Sequence, residues 1–222
     1  MNTQLSAASK PTTQRPLHAG KRLARITLKT LGSTDRQLLL EHFLQLDEED
    51  RMLRFGALLS DRSIGNYVRG IDFSNDTVLG AFDSELRLAG VGHLGFLEPT
   101  DGERTAELGV SVLKSARGQG LGSRLFNRAA VRCRNAGVST LYMHCLSRNA
   151  TMTHIAVKAG MQIQRAYGES DAYLTLPPGD QASVFGELIE EQAALYELTV
   201  RQATQRAYLL LKSWWRAPQP AV

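Results

Sequence analysis

The stretch that decides the fold is VSVLKSARGQGLGSR, Val110–Arg124. It opens on alternating apolar positions, as a strand does, and closes on residues that favour a helix. Between them Gly118, Gly120 and Gly122 fall at every second position. With no Cβ, they let the backbone pass close to a ligand. The first amides of the helix that follows have no partner within it and carry the positive end of its dipole, so this strand–loop–helix is a place to hold an anion. Arg117 adds a positive charge at the mouth. Together these features predict a diphosphate site.

Working outward, the preceding segments read as antiparallel strands: Thr77–Asp83, Leu86–Leu97 and Thr105–Leu113, joined at Asp83-Ser84-Glu85 and at Pro99-Thr100-Asp101-Gly102. Residues 34–55 carry helical spacing (Leu38, Leu39, His42, Phe43, Leu46), with Asp35 as the expected N-cap. A second helix is expected over 62–71. Downstream of the loop come a helix from about Gly120 to Asn135, a strand over Thr140–Leu146, a helix over Asn149–Ala159, and strands over Met161–Ala166 and Ala172–Leu176. A first strand is expected from Leu23. Residues 180–215 read as a long amphipathic helix, broken once at most.

Two diphosphate ligands are disfavoured by the residues themselves. A P-loop needs Gly-Lys-Ser/Thr, which is absent. A dinucleotide fingerprint needs a small apolar residue where Ser123 stands, and an acid at the end of the next strand, where Met143, His144 and Cys145 lie.

The pattern Arg-x-x-Gly-x-Gly at Arg117, Gly120 and Gly122 resembles the acetyl-coenzyme A signature of the GNAT superfamily of N-acetyltransferases. Asn149, followed by Lys158-Ala159-Gly160-Met161, is similar to that family's Asn-led helix ending at glycine. The resemblance covers about residues 22–176. It implies an α/β (α+β) fold, in which helices flank a mixed, splayed central sheet and a C-terminal helical extension is added. It implies acetyl-coenzyme A as co-substrate. It also implies backbone contacts from Val112 and Leu113 to the pantetheine arm, diphosphate contacts from Arg117, Gly118, Gln119, Gly120, Leu121, Gly122 and Ser123, and a bond from Asn149 near the thioester.

Acetyl transfer to an amine needs a neutral nucleophile, because an alkylamine titrates near ~10.4. Glu107 is the first candidate base. Glu107, Gly109 and Ser111 share one face of their strand, and the small residues leave room for a substrate or a bridging water. Ala106-Glu107-Leu108 resembles the glutamate-bearing strand of family members that acetylate protein lysines. His93, on the neighbouring strand, is the second candidate; a purely hydrogen-bonded role competes with it. Where many members carry a tyrosine seven residues after the Asn, this chain has Ala156. Tyr142, Tyr167, Tyr173 or solvent is left to protonate the thiolate.

The chain has 222 residues and a formal charge of +4 from 26 basic and 22 acidic side chains. The basic residues are scattered without interleaved aromatics, which argues against a nucleic-acid partner. No apolar run reaches membrane-span length and no leader pattern stands at the start, so a membrane or secreted location is not expected. Cys133 and Cys145 alone make no disulfide framework and no zinc spacing, so no metal is expected and the cytoplasm is the expected compartment. The expected organisation is a flexible tail over 1–21, an acyl-coenzyme A-binding domain over 22–178 and a helical extension over 179–222. The extension could pair two copies of the chain. The expected activity is direct N-acetyl transfer to a primary amine on a small molecule or a protein, a protein lysine among them. The alternative is a non-catalytic acyl-coenzyme A-binding regulatory module.

Overall fold

The computed structural model describes residues 26–99 and 102–215. The expected tail over 1–21, the strand start at Leu23 and part of the second hairpin connection lie outside the described residues. Seven strands form one sheet: β1 (Thr27–Leu31), β2 (Thr77–Phe82), β3 (Leu88–Phe96), β4 (Thr105–Val112), β5 (Thr140–Leu146), β6 (Gln162–Ala166) and β7 (Glu169–Thr175). Their order is β1-β2-β3-β4-β5-β7-β6. Every neighbouring pair is antiparallel except β4 and β5. A parallel pair cannot be joined by a tight turn, and here the crossover carries the glycine loop and helix α4 (Leu121–Asn135).

All six residues of β2 are buried, which fits a strand covered on both faces. One face packs against α4 and α5 (Ala150–Lys158), with Leu108, Leu121, Leu125, Leu141, Met143 and Ile155 in the core between them. The other packs against α1 (Arg36–Leu44) and α3 (Asp61–Gly70) through Leu39, Phe43, Ile64, Val68, Val78 and Val91.

The helical stretch expected over 34–55 is two helices, α1 and α2 (Glu48–Phe55). Asp47 ends the continuity because its carboxylate accepts from the amide of Asp50, 2.9 Å away, and so caps a new helix. Asp35 does not cap α1. Its carboxylate accepts instead from the amide of Gly32 at 2.9 Å and from Lys29 Nζ at 3.1 Å. The last strand begins at Glu169, three residues earlier than read, because Tyr167 and Gly168 take positive φ angles and close a tight hairpin.

Helix α6 (Gln181–Trp215) is unbroken over 35 residues, about 52 Å at 1.5 Å per residue. Its first half lies along the sheet edge. The amide of Thr30 in β1 donates to Glu191 Oε1 at 3.0 Å and the Thr30 hydroxyl to Oε2 at 2.9 Å, so a carboxylate covers an edge that would otherwise be open. Buried Arg128 of α4 pairs with Glu190 and Glu191 at 2.6 and 3.3 Å. Leu198 enters the core, whereas residues 202–215 are exposed throughout.

Candidate active site

Strands β4 and β5 pair only over Thr105–Glu107 and Thr140–Tyr142. Beyond that they part, β4 staying with β3 and β5 with β7. The amide of Leu113 donates to Ala89 O at 2.9 Å, and Thr105 O accepts from Leu97 at 2.9 Å, so the odd-numbered residues of β4 bond to β3. The antiparallel alternation then turns the peptide groups of Leu108, Val110 and Val112 toward the gap. Leu113, expected beside Val112, does not share this edge, and Val110 does.

The gap opens into a cleft of about 530 Å³. Val110 and Val112 form one side, Arg117, Gly118 and Gly120 to Ser123 one end, and Asn149, Met152, Ile155 and Lys158 the opposite wall, with Leu53 and Arg54 of α2 above. Gly118 and Gly120 both have φ +74°, a conformation that would strain any residue with a Cβ. Among the described residues, nothing outside α4 accepts from the amides of Gly118 through Ser123. Unclaimed donors at a helix start, with Lys158 across from them, suit the diphosphate of coenzyme A. Gly122 serves packing: a Cβ there would stand 2.8 Å from Ile155 Cδ1, so its absence lets α4 and α5 approach.

Arg117 is held on both sides. Its Nε donates to Val112 O at 3.2 Å and its Nη2 to buried Asp50 Oδ1 at 2.6 Å, which ties α2 to the loop. Asn149 caps α5, its Oδ1 accepting from the amide of Met152 at 3.1 Å, and its Nδ2 reaches Leu53 O at 3.5 Å.

The room expected beside Glu107 is partly filled. The Arg54 guanidinium lies flat over Gly109, whose Cβ, were there one, would sit 2.5 Å from the guanidinium carbon. Ser111 is covered by His42 of α1, whose Nε2 lies 2.8 Å from Ser111 Oγ and whose Nδ1 lies 2.9 Å from Leu88 O. A carbonyl only accepts, so Nδ1 carries the proton and Nε2 accepts from the serine. Burial pushes the His42 pKa down to about 4. Glu107 itself is exposed at the point where the strands part, opposite Tyr142 in register.

His93 stands opposite Gly109. Its Nε2 is 3.1 Å from Asp76 Oδ2 and its Nδ1 is 2.6 Å from Tyr67 Oη. Nε2–H donates to the Asp76 carboxylate, so Nδ1 accepts from Tyr67, and the Tyr67 oxygen accepts from Arg54 Nη2 at 2.9 Å. Both ring nitrogens are therefore engaged. Burial lowers the His93 pKa; Asp76 opposes the shift and the Arg54 charge adds to it.

On the same face of the sheet, the Tyr142 hydroxyl donates to Asp171 Oδ1 at 2.6 Å, and His144 Nδ1 lies 2.8 Å from the same oxygen. These two bonds hold the Asp171 carboxyl below its ordinary range. Burial, reinforced by Asp171, raises the Tyr142 pKa. Tyr173 packs on Tyr142 with ring centroids 5.1 Å apart, and Tyr167 is fully exposed at the hairpin turn. Among the described residues no tyrosine lines the cleft, and Ala156 is buried in the core. Burial raises the thiols of Cys133, to about 12, and Cys145, so neither is an activated nucleophile. Among the described residues no cluster of three metal-ligating side chains occurs and no helix is long and apolar enough to cross a membrane. Arg54, His42 and Tyr67 carry no sequence signal beyond helical spacing.

A mixed sheet splayed beside a glycine-rich helix start defines an acyl-coenzyme A transferase scaffold. The model of the acetyltransferase (GNAT) family matches residues 37–161, and the chain belongs to that family. It is an N-acetyltransferase that draws its acetyl group from acetyl-coenzyme A. Solved structures share the fold. The GNAT domain of S. lividans PAT is 20% identical with a TM-score of 0.58, over 69% of this chain and 90% of that one. The putative acetyltransferase yncA from Salmonella typhimurium, solved with acetyl-coenzyme A, is 16% identical with a TM-score of 0.54, over 70% and 96%. Spermidine N-acetyltransferase from Vibrio cholerae, solved with coenzyme A and spermine, is 19% identical with a TM-score of 0.53, over 68% and 95%. No curated protein sequence matches the chain.

Proposed function

We propose that the chain transfers an acetyl group directly to a primary amine, on a small molecule or on a protein lysine, with no acyl-enzyme stage. The observation that carries this reading is that one strand, β4, bears both halves of the site. Its C-terminal end runs into the open amides of residues 118–123, and Glu107 stands where the strands part. We assign the acyl-transfer unit to residues 22–178 and the C-terminal extension to 179–222, of which Gln181–Trp215 is the helix α6.

In this reading the amides of Gly118 to Ser123 hold the diphosphate, and the gap-facing peptide groups of Val110 and Val112 hold the pantetheine arm. The thioester supplies an electrophilic carbonyl carbon. Glu107 takes a proton from the incoming ammonium, directly or through one water, leaving a neutral amine. The C–N bond forms and the C–S bond breaks, the second proton of the nitrogen passes through water to the departing sulfur so that coenzyme A leaves as the thiol, and Glu107 returns its proton to solvent; Ala156 has no proton to give. Asp76 and His93 do not touch the reactants; they orient Tyr67 and through it Arg54.

Titration calorimetry with acetyl-coenzyme A, followed by mass spectrometry of products from a mixture of small amines and proteins, tests the reading. Binding with an N-acetylated product is the expected result. Binding without any product across the panel would favour the regulatory module instead.

A further inference from the structure

Among the described residues, Arg54 has no carboxylate partner within 4.0 Å. The other arginine that lines the cleft, Arg117, is tied to Asp50 at 2.6 Å, and Arg51 of the same helix as Arg54 is tied to Asp61 at 2.7 Å. The Arg54 guanidinium is instead walled by the rings of Phe55, Tyr67 and Phe43, 4.9, 5.7 and 5.8 Å from its central carbon. Its Nη2 donates to the neutral Tyr67 hydroxyl, and its Nε is buried with no acceptor. A cation held against aromatic faces and short of acceptors keeps an unmet demand for negative charge. It lines the cleft, over Gly109, at the end away from the 118–123 loop.

Glu107 is two residues from Gly109 on the same strand face. Among the described residues, no ion pair within 4.0 Å joins Glu107 to Arg54. The acyl-transfer end thus offers one free carboxylate and one free guanidinium side by side. A simple alkylamine would satisfy only the first. An acceptor with an ammonium and a carboxylate a few bonds apart satisfies both, and the planar fork of an arginine fits a carboxylate through two parallel hydrogen bonds.

We infer that the acceptor is an amine that also carries a carboxylate, of the amino-acid type, with Arg54 as the residue that selects the carboxylate. This rests on the amine N-acetyltransferase reading above and narrows its acceptor class. Asp76, His93 and Tyr67 are positioning residues in it, since they hold the guanidinium through the tyrosine oxygen.

The test uses matched pairs, each an amino acid and the amine left by its decarboxylation: leucine with isoamylamine, phenylalanine with phenethylamine, lysine with cadaverine. For each pair the ratio of kcat/KM is read with acetyl-coenzyme A as donor. A charge-assisted bidentate contact should favour at least one amino acid by roughly 10- to 100-fold. In Arg54→Gln that ratio should fall at least about tenfold from its wild-type value; comparing the two proteins cancels the intrinsic difference in amine basicity within each pair. Arg54→Lys, which keeps the charge and loses the fork, should fall between. Independently of turnover, the favoured amino acid should raise the melting temperature of the coenzyme A-loaded wild-type protein, and its decarboxylated partner should not.

Ratios that are the same in the wild type and in a folded Arg54→Gln variant overturn the inference and leave the acetyltransferase reading standing. So does a carboxylate preference seen only in the acyl group, with succinyl-coenzyme A favoured over acetyl-coenzyme A. Failure of coenzyme A to bind overturns the underlying reading and this inference with it.

Discussion

The imidazole of His42 accepts a hydrogen bond from Ser111, 2.8 Å away, beneath the strand that borders the cleft. The ring is fully buried, and its pKa is pushed down to about 4 from an ordinary 6.5. A neutral ring is required because Nε2 must keep its lone pair for the serine while Nδ1 donates to Leu88 O. Helix α1 is thereby fastened to β3 and β4 at once.

The pH dependence of stability follows from this pair. Between pH 6.5 and about 4 the unfolded chain protonates this histidine and the folded chain does not. The contribution is therefore fully present above pH 6.5 and is lost as pH falls toward 4. The shift corresponds to on the order of 3 kcal/mol. Urea midpoints measured from pH 7 to 4 should fall more steeply in the wild type than in His42→Gln. Parallel slopes would show that His42 is not the group responsible.

Glu107→Gln keeps the shape of an exposed side chain and removes its basicity. Turnover should drop by ~10² or more, while the coenzyme A dissociation constant stays within about threefold. The two are separable because Glu107 lies outside the cleft lining that carries the loop. Unchanged turnover would assign the base elsewhere.

Gly120→Ala forces a Cβ onto a residue at φ +74°, the N-cap of α4. The strain is about 1–2 kcal/mol. Because that strain is relieved by moving the neighbouring amides, coenzyme A affinity should fall at least tenfold by calorimetry, along with a lower melting temperature. A lower melting temperature with unaltered affinity would mean that these amides do not hold the diphosphate.

The two halves of α6 should respond differently. Leu198 is buried in the core cluster that also holds Leu31 and Val78, and Leu198→Ala should cost about 2–4 kcal/mol in urea unfolding. Ending the chain after Arg201 removes a stretch whose described residues are all exposed, and should change stability by less than about 0.5 kcal/mol. A large loss on truncation would show that the distal half is packed in solution, as pairing of two copies would require. Light scattering on the same two proteins reads that directly.

Much of the fold is legible in local chemistry. The boundaries of β5 coincide with the expected Thr140–Leu146, and α4 and α5 end where Gly137 and Gly160 take positive φ. Asn149 does cap α5. Two of the misread places were decided by a side-chain bond, and the start of β7 by the positive φ angles of Tyr167 and Gly168. Asp35 turned back to Gly32 and Lys29, and Asp47, inside an apparently continuous pattern, started a new helix.

Alternation along β4 already separates Ala106 and Leu108 from Glu107, Gly109 and Ser111, and the glycine spacing already marks a helix start able to hold phosphates. Both are properties of neighbours in the chain, so periodicity and steric freedom suffice to reveal them. What fills the space over Gly109 and Ser111 comes from residues more than fifty positions away: Arg54 on one, His42 on the other. The same holds for Asp50 against Arg117, and Tyr67 reaches His93 across 26 positions. Those contacts depend on how α1, α2 and α3 dock on the sheet, and that docking is set by the summed burial of Leu39, Phe43, Ile64 and Val68 rather than by any local pattern. The free charge at Arg54 is visible only after folding, because it is defined by which carboxylates ended up elsewhere.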